Sequence, residues 1–482
     1  MEMDASVLAP LVALFLASFF LVLRKHRSSP PDDRRHQQLP PGSFGLPVIG
    51  QTLSFLSALR GNTGEAWLRQ WAAVYGPVSR FSFFGVRTAL IVGPSANKFL
   101  FSSAGLTAKT TTAMNRMVGR RNIRELTGNN HRHVRAMFVQ FLKLDVVRGY
   151  VGAIDDEVRH HLSANWHGHA TIAVMPSMKT LTFDIMCTVI FGLDRGAHAA
   201  MRRDLSMEFQ QLVRGVWSIP VNLPFTTFRK CLAASQRGRH TVAKIIDEKR
   251  RKLERGESSS SNDLMTHMLA EGMADDDIID NIMFMILAAH DTTATLLTFL
   301  IRHLDSNKDA YAKVIAEQEE VARSKARGEA LSWDDLGKMR YTWAAAMETL
   351  RMVPPIFGNF KRVVEDVEFN GHLIPKGWQV MTAMNLTQWD PAIFPDPGRF
   401  DPTRFESPLP PYSFVAFGGG GRVCPGNEFA RVEALVAMHY IITGFRWKLA
   451  DGCDGSFSRY PLPSPAQGLL IDIEPKDTTT SP

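Results

Sequence analysis

The chain has 482 residues, 45% hydrophobic and 21% charged, which gives it the apolar material for a large core and excludes a disordered chain. Its 55 Lys+Arg against 48 Asp+Glu leave a net charge of +7 and a pI near 9.2. That excess favours an acidic partner or an anionic membrane surface, and with no nucleic-acid-binding motif in the sequence no nucleic acid is expected.

Residues 7–23 form an apolar run interrupted only by Pro10 and Ser18. As a helix it would span roughly 26 Å, close to the thickness of an endoplasmic reticulum bilayer. Glu2 and Asp4 precede it, and Arg24, Lys25, His26 and Arg27 follow. This order of charges predicts a single-pass anchor in the endoplasmic reticulum membrane with the body on the cytosolic side. A cleaved signal peptide would carry its basic residues before the run. The expected division is an anchor with its basic flank at 1–27, a Pro-rich hinge at 28–50, and one catalytic body at 51–482. Pro30-Pro31, Leu39-Pro40-Pro41-Gly42, Pro47 and Gly50 keep the hinge from being helical.

Strand-like segments are few: 78–84 with 88–92, then 368–369 and 379–383. Most of the remainder has helical periodicity, so the body should be mainly α with small β-sheets. The serine run at 258–261 reads as a surface loop. Within 129–142, His131 and Arg135 stand four apart on a predicted helix. Such a basic helix end could hold the carboxylates of a cofactor, or it could be an exposed charged face. The paired histidines (His131 and His133, His160 and His161, His167 and His169) lack a matching cysteine or carboxylate pattern and read as solvated rather than zinc-binding.

Asp275-Asp276-Asp277 opens a long helix expected to reach about Arg302, with acids where the dipole prefers them. Residues 282–289 are apolar all round, which implies a buried helix. Asp291, Thr292, Thr293 and Thr295 enter that interior. A buried carboxylate is costly unless it is paired or used. Mid-helix threonines often bond the carbonyl four residues back, here Ala288 for Thr292. An acid beside an alcohol could also relay protons.

Further on, Glu348 and Arg351 lie three apart on a helix at 343–351, close enough to share a face. Pro354-Pro355 stops that helix before an apolar loop, Ile356-Phe357-Gly358-Asn359-Phe360. The segment Phe400-Asp401-Pro402-Thr403-Arg404-Phe405 offers a second arginine for a Glu348–Arg351–Arg404 network.

Four cysteines, Cys187, Cys231, Cys424 and Cys453, are scattered without a CxxC pair, a poor disulfide or zinc framework. Cys424 stands apart, within Phe417-Gly418-Gly419-Gly420-Gly421-Arg422-Val423-Cys424-Pro425-Gly426. Glycines let backbone N–H groups approach the sulfur, and a helix predicted at 427–440 points its N-terminus there. Both features should lower the thiol pKa from its usual value of about 8.5. A thiolate so held suits haem iron; the plainer alternative is a buried structural cysteine beside a turn.

These pieces, in this order, resemble the cytochrome P450 superfamily along essentially the whole chain. The cysteine loop matches the family's haem pattern at Phe417, Gly420, Arg422, Cys424 and Gly426. Glu348 and Arg351 match its Glu-x-x-Arg helix, with Arg404 in the segment that supplies a third member of the brace. Ala288-Ala289-His290-Asp291-Thr292-Thr293 is similar to its oxygen-activating helix, most closely to the plant clan of triterpenoid, taxane, abscisic acid and brassinosteroid oxidases. The resemblance implies haem b with Cys424 as axial thiolate, and Arg422, Arg362, Arg135 and His131 at the haem propionates. His131 replaces the family's tryptophan four residues before Arg135, and Ala289 stands where glycine is usual.

By the same resemblance Asp291 and Thr292 would deliver protons while NADPH supplies electrons through a reductase. The implied reaction is insertion of one oxygen atom from O2 into a C–H bond of a small hydrophobic substrate, a terpenoid or sterol. Phe284, Leu287, Ala288, Ile356 and Phe357 are the expected pocket residues. Two other classes fit the same residues: a haem-thiolate isomerase or dehydratase acting on peroxides without O2, and a non-catalytic haem-binding protein.

Overall fold

The computed structural model describes residues 38–476 apart from 47, 48, 84, 109, 216, 217, 219, 258–262, 460 and 461. The expected anchor at 7–23, the hinge up to residue 37 and the serine run lie outside the described residues. Two amphipathic helices, α1 (Thr52–Arg60) and α2 (Gly64–Tyr75), lead into an antiparallel pair, β1 (Val78–Phe83) and β2 (Val86–Ile91). Helix α3 (Pro94–Ser102) and the short β3 (Leu106–Ala108) follow. Phe55, Trp67, Trp71, Phe81 and Phe83 pack ring on ring between the helices and the strands, which fixes this layer.

The longer helices of the body are α4 (Gly128–Leu142), α5 (Val151–Asn165), α6 (Val174–Val189), α7 (Ala199–Val213), α8 (Thr227–Glu254), α9 (Asp275–Ser306), α10 (Lys308–Arg323), α11 (Arg340–Met352) and α12 (Asn427–Gly444). Strands β4 (Asn359–Val363) and β5 (Gln379–Thr382) return to the first sheet, whose order is β1-β2-β5-β4-β3. Its β2–β5 pairing is parallel; the rest are antiparallel. Smaller sheets join Thr171–Ala173 to Leu470–Pro475 and Phe445–Leu449, Val367–Phe369 to His372–Ile374, and Phe457–Arg459 to Pro463–Pro465. The architecture is thus mainly α with small sheets, as the periodicity predicts.

Helix α9 is the axis of the largest core. It is long and apolar enough to cross a membrane, yet most of its apolar window is buried in the protein, so it is a core helix. It runs one turn beyond the expected end at Arg302, because Leu304 and His303 are still buried. His303 stacks on the Phe400 ring at 5.0 Å and Asp305 accepts the Leu449 N–H at 3.4 Å, so tertiary packing, and not local propensity, carries it there.

Candidate active site

The cysteine loop is a tight backbone structure. Cys424 N–H donates to Phe417 O at 2.8 Å and Gly418 N–H to Val415 O at 2.8 Å. Gly420 has φ +63°, and a Cβ there would come within 2.7 Å of Phe101 O, so α3 can seat the loop only against glycine. Helix α12 begins three residues after Cys424. The expected low thiol pKa is corrected here. Burial pushes the Cys424 thiol above its ordinary value, and the Gly426 N–H and the Arg135 charge pull it back only in part. Helix and glycines alone therefore do not make a thiolate, whereas a coordinated metal deprotonates such a sulfur outright.

Beside the loop is a cluster of cations. Arg422 donates through Nη1 to Ile123 O at 3.3 Å and Arg124 O at 3.1 Å, and through Nη2 to Leu126 O at 2.5 Å. Arg135 and His131 reach it from α4. Burial, then Arg422 and Arg135, bring His131 down to about 4, so it is neutral at pH 7. Arg124 joins them, and burial depresses its pKa as well. Lys361 completes the cluster, brought down to about 8 by burial and by Arg422 and Arg124. Glu125 supplies the counter-charge felt by Arg124 and Arg422, too little to balance the group. Arg362 is not part of it. On β4 it is exposed and its neighbour Lys361 is half-buried, because successive side chains of a strand point to opposite faces.

The long helix has one accessible stripe. Between Ile278 and Ile301 every residue is buried except Phe284, Ala288, Ala289 and Thr292, and 284, 288 and 292 repeat at four-residue spacing. An exposed alanine in the middle of a core helix marks a cavity wall. Of the expected pocket residues, Phe284 and Ala288 lie on this stripe and Ile356 is exposed in its loop. Leu287 instead points into the core, and Phe357 packs its ring on Phe55 and Phe360; these two are corrections.

Asp291 and Thr292 are adjacent in sequence but turn to different partners. Thr292 Oγ1 donates to Ala288 O at 2.8 Å. Asp291 is buried and forms an ion pair with Lys179 Nζ of α6 at 2.7 Å. Its Oδ2 has no hydrogen-bond partner among the described residues. Burial outweighs the nearby carboxylate and lowers the pKa of His290, 3.9 Å away, so Lys179 carries the compensating charge. The side chain of Lys179 is about one-third exposed (32%), so the pair links a buried acid to solvent.

Glu348, Arg351 and Arg404 do come together. Arg351, fully buried, donates to both Glu348 oxygens at 2.7 and 2.8 Å, to Gln388 O at 2.9 Å and to Pro397 O at 2.8 Å. Arg404 Nε stands 3.4 Å from Glu348 Oε1. Arg124, Lys361 and Lys179 carry weaker signals. Lys361 could be found by strand alternation, Arg124 only as one of several arginines at 116–124, and Lys179 by no local pattern.

A thiol loop, a neighbouring cationic cluster and a cavity-lining helix with an acid–alcohol pair define a haem-thiolate oxidoreductase. The comparisons agree. The family model described as Cytochrome P450 matches residues 40–462. A β-amyrin 28-monooxygenase of Barbarea vulgaris is 34% identical over 98% of this chain and 100% of its own. A β-amyrin 16-beta-monooxygenase of Platycodon grandiflorus is 35% identical over 91% of this chain and 93% of its own. Among solved structures, the retinoic acid-bound cyanobacterial CYP120A1 superposes with a TM-score of 0.81 at 29% identity, covering 91% of this chain and 100% of that one. The chain belongs to the cytochrome P450 family and has its fold. It is a monooxygenase, with haem b as cofactor and electrons from NADPH by way of a reductase. The residues present fit that cofactor: a half-buried sulfur in a glycine-walled loop, and cations in excess of the carboxylates around them.

Proposed function

We propose that this protein is a triterpenoid monooxygenase that inserts one oxygen atom from O2 into a C–H bond of a β-amyrin-like substrate. The observation that carries the reading is the accessible stripe of α9, apolar at Phe284 and Ala288 and hydroxylated at Thr292. Full-length similarity to enzymes named for β-amyrin oxidation supports the substrate class. Those relatives are named for two different positions, 28 and 16-beta, so the carbon attacked depends on the pocket walls of each protein.

In this reading Cys424 would ligate the iron, and Arg422, Arg124, Arg135 and Lys361, with neutral His131 as a hydrogen-bonding neighbour, would hold the porphyrin carboxylates. The haem, when bound, activates dioxygen, and its thiolate ligand favours O–O cleavage. Phe284, Ala288 and Ile356 hold the hydrocarbon skeleton and exclude water. Thr292 Oγ1 would give up its bond to Ala288 O, pass a proton toward the cavity and take one back from Asp291, once that carboxyl has left Lys179 and been protonated from the solvent side. The basic body suits an acidic reductase surface, and residues 7–23 would anchor the chain in the endoplasmic reticulum membrane.

The test is co-expression with a plant reductase and a panel of triterpenes, diterpenes and sterols under 18O2. β-Amyrin or a close skeletal relative should gain one labelled oxygen, and only when NADPH is present. Oxidation of a sterol or diterpene with every triterpene untouched would remove the substrate assignment. Turnover without NADPH would replace the monooxygenase reaction by peroxide rearrangement.

A further inference from the structure

Segment 119–126 lies between the long helix and the cysteine loop and is bonded to both. On the α9 side, the buried Asp280 carboxylate accepts Arg121 N–H at 2.9 Å and Arg239 Nη1 of α8 at 2.6 Å. Asn281, fully buried, accepts Ile123 N–H at 2.8 Å and donates Nδ2 to Arg121 O at 3.0 Å and Asp277 O at 2.8 Å. Its amide thus pairs with residues 121–123 as a neighbouring strand would. Gly119, at φ +89°, lets the segment pass over Asp280, whose carboxylate a Cβ there would overlap. Asn122 stiffens the turn, donating to Gly119 O at 2.7 Å and accepting Arg124 N–H at 3.0 Å.

On the other side, the carbonyls of Ile123, Arg124 and Leu126 receive the Arg422 guanidinium. Ile123 is the junction: its N–H is held by α9 and its C=O by the cysteine loop, with Arg124 next to it. We propose that Asp280 and Asn281 are positioning residues for the cofactor cradle, setting the place of Arg422 and Arg124 through segment 119–126. This rests on the reading of Arg422 as a haem-carboxylate partner. Buried amide and carboxylate groups with every bond made resist displacement, because a buried partner left unpaired is costly. A shift of α9 near its accessible stripe is therefore transmitted to the cradle by hydrogen bonds and not by the haem alone.

The test is the rate of haem transfer from the holoenzyme to apomyoglobin, well below the unfolding temperature, with the thermal midpoint measured in parallel. Asn281→Ala should lose haem roughly tenfold faster, and Asp280→Asn, which keeps the shape and removes the charge, several-fold faster. Arg422→Lys should lose haem faster too, and Asn281→Ala added to it should have little further effect, since residues acting through one another are not additive. Asp276→Asn, an exposed partner of Arg121, is the control and should match the wild type. A folded Asn281→Ala variant with a lower midpoint and unchanged haem loss would make the contact merely structural and overturn the proposal. Full additivity with Arg422→Lys would overturn it as well. Unchanged haem loss in Arg422→Lys, by contrast, would remove the cradle reading itself. If Asn281→Ala does not accumulate, Asp280→Asn decides the same question.

Discussion

Lys361 and Arg362 are neighbours on β4 with opposite surroundings, and the difference predicts their roles. Lys361 faces Arg422 and Arg124, and its pKa of about 8 means that the cluster sheds a charge as pH rises through that value. Anionic groups bound there would hold the proton on. Lys361→Ala should therefore accelerate haem loss several-fold, Lys361→Arg should not, and Arg362→Ala should stay within about twofold of wild type, as exposed charges usually do. Equal effects at 361 and 362 would count against the cradle. A second prediction concerns Asp291. Its ion pair with Lys179 takes it away from Thr292, so proton delivery needs both the alcohol and a route past the lysine. Thr292→Ala should divert electrons to peroxide, and Lys179→Met, which leaves a buried carboxylate without its cation, should act in the same direction. The measurement is peroxide formed per NADPH consumed with substrate present. Unchanged ratios in both variants would take the relay out of the mechanism.

At the scale of elements, α12 behind Cys424 and the oxygen-side helix α9 are joined by a carboxyl. Glu433 is buried on α12, hydrogen-bonded to Thr293 of α9, and burial raises its pKa to about 8. It is protonated at pH 7, while in the unfolded chain it would ionise near 4.5. Between those values the native state binds one more proton than the unfolded state, so this group's contribution is full below about pH 4.5 and is lost as pH rises to about 8. Glu433→Gln should flatten the fall of the thermal midpoint from pH 5 to 8; an unaltered slope would show that Glu433 is ionised in the folded protein. Such a residue also shows what a sequence hides. The long apolar helix with its opening acids, the Glu348–Arg351 face and the cysteine loop were legible, because each follows from spacing within one segment. Arg422 was legible for the same reason. Arg124, Lys179 and Glu433 matter through partners from distant segments, and no local period encodes that; strand alternation sets Lys361 apart from Arg362 without saying what it faces. The inward direction of Leu287 and Phe357 was likewise set by tertiary packing, since periodicity marks apolar residues without saying which of them line a cavity. The thiol pKa went the wrong way because burial, absent from any sequence pattern, outweighs the helix N-terminus.

Across the whole molecule, one buried cation ties the end of α11 to the chain between residues 388 and 404. The Arg351 guanidinium joins α11 to Gln388 O, Pro397 O and the rings of Trp389 and Phe394, at 5.8 and 5.4 Å from their centroids. Glu348 accepts Asp401 N–H at 3.0 Å in addition to its arginines. Four chain segments thus meet at a single ion pair with no exposure, where desolvation is offset only by complete hydrogen bonding. Breaking such a pair on one side costs about 3–5 kcal/mol, against a total stability of about 5–15 kcal/mol for a typical protein. Arg351→Leu or Glu348→Leu alone should therefore leave little haem-loaded protein. Replacing both should lower stability by less than the sum, because no lone charge is left behind, though the carbonyls of Gln388 and Pro397 still lose their donor. The comparison is made by the yield of ferrous–CO absorbance in the long-wavelength thiolate band and by the thermal midpoint of whatever folds. A double variant as poor as the two singles added together would mean that the arginine's bonds to the main chain, and not its pairing with Glu348, hold these segments in place.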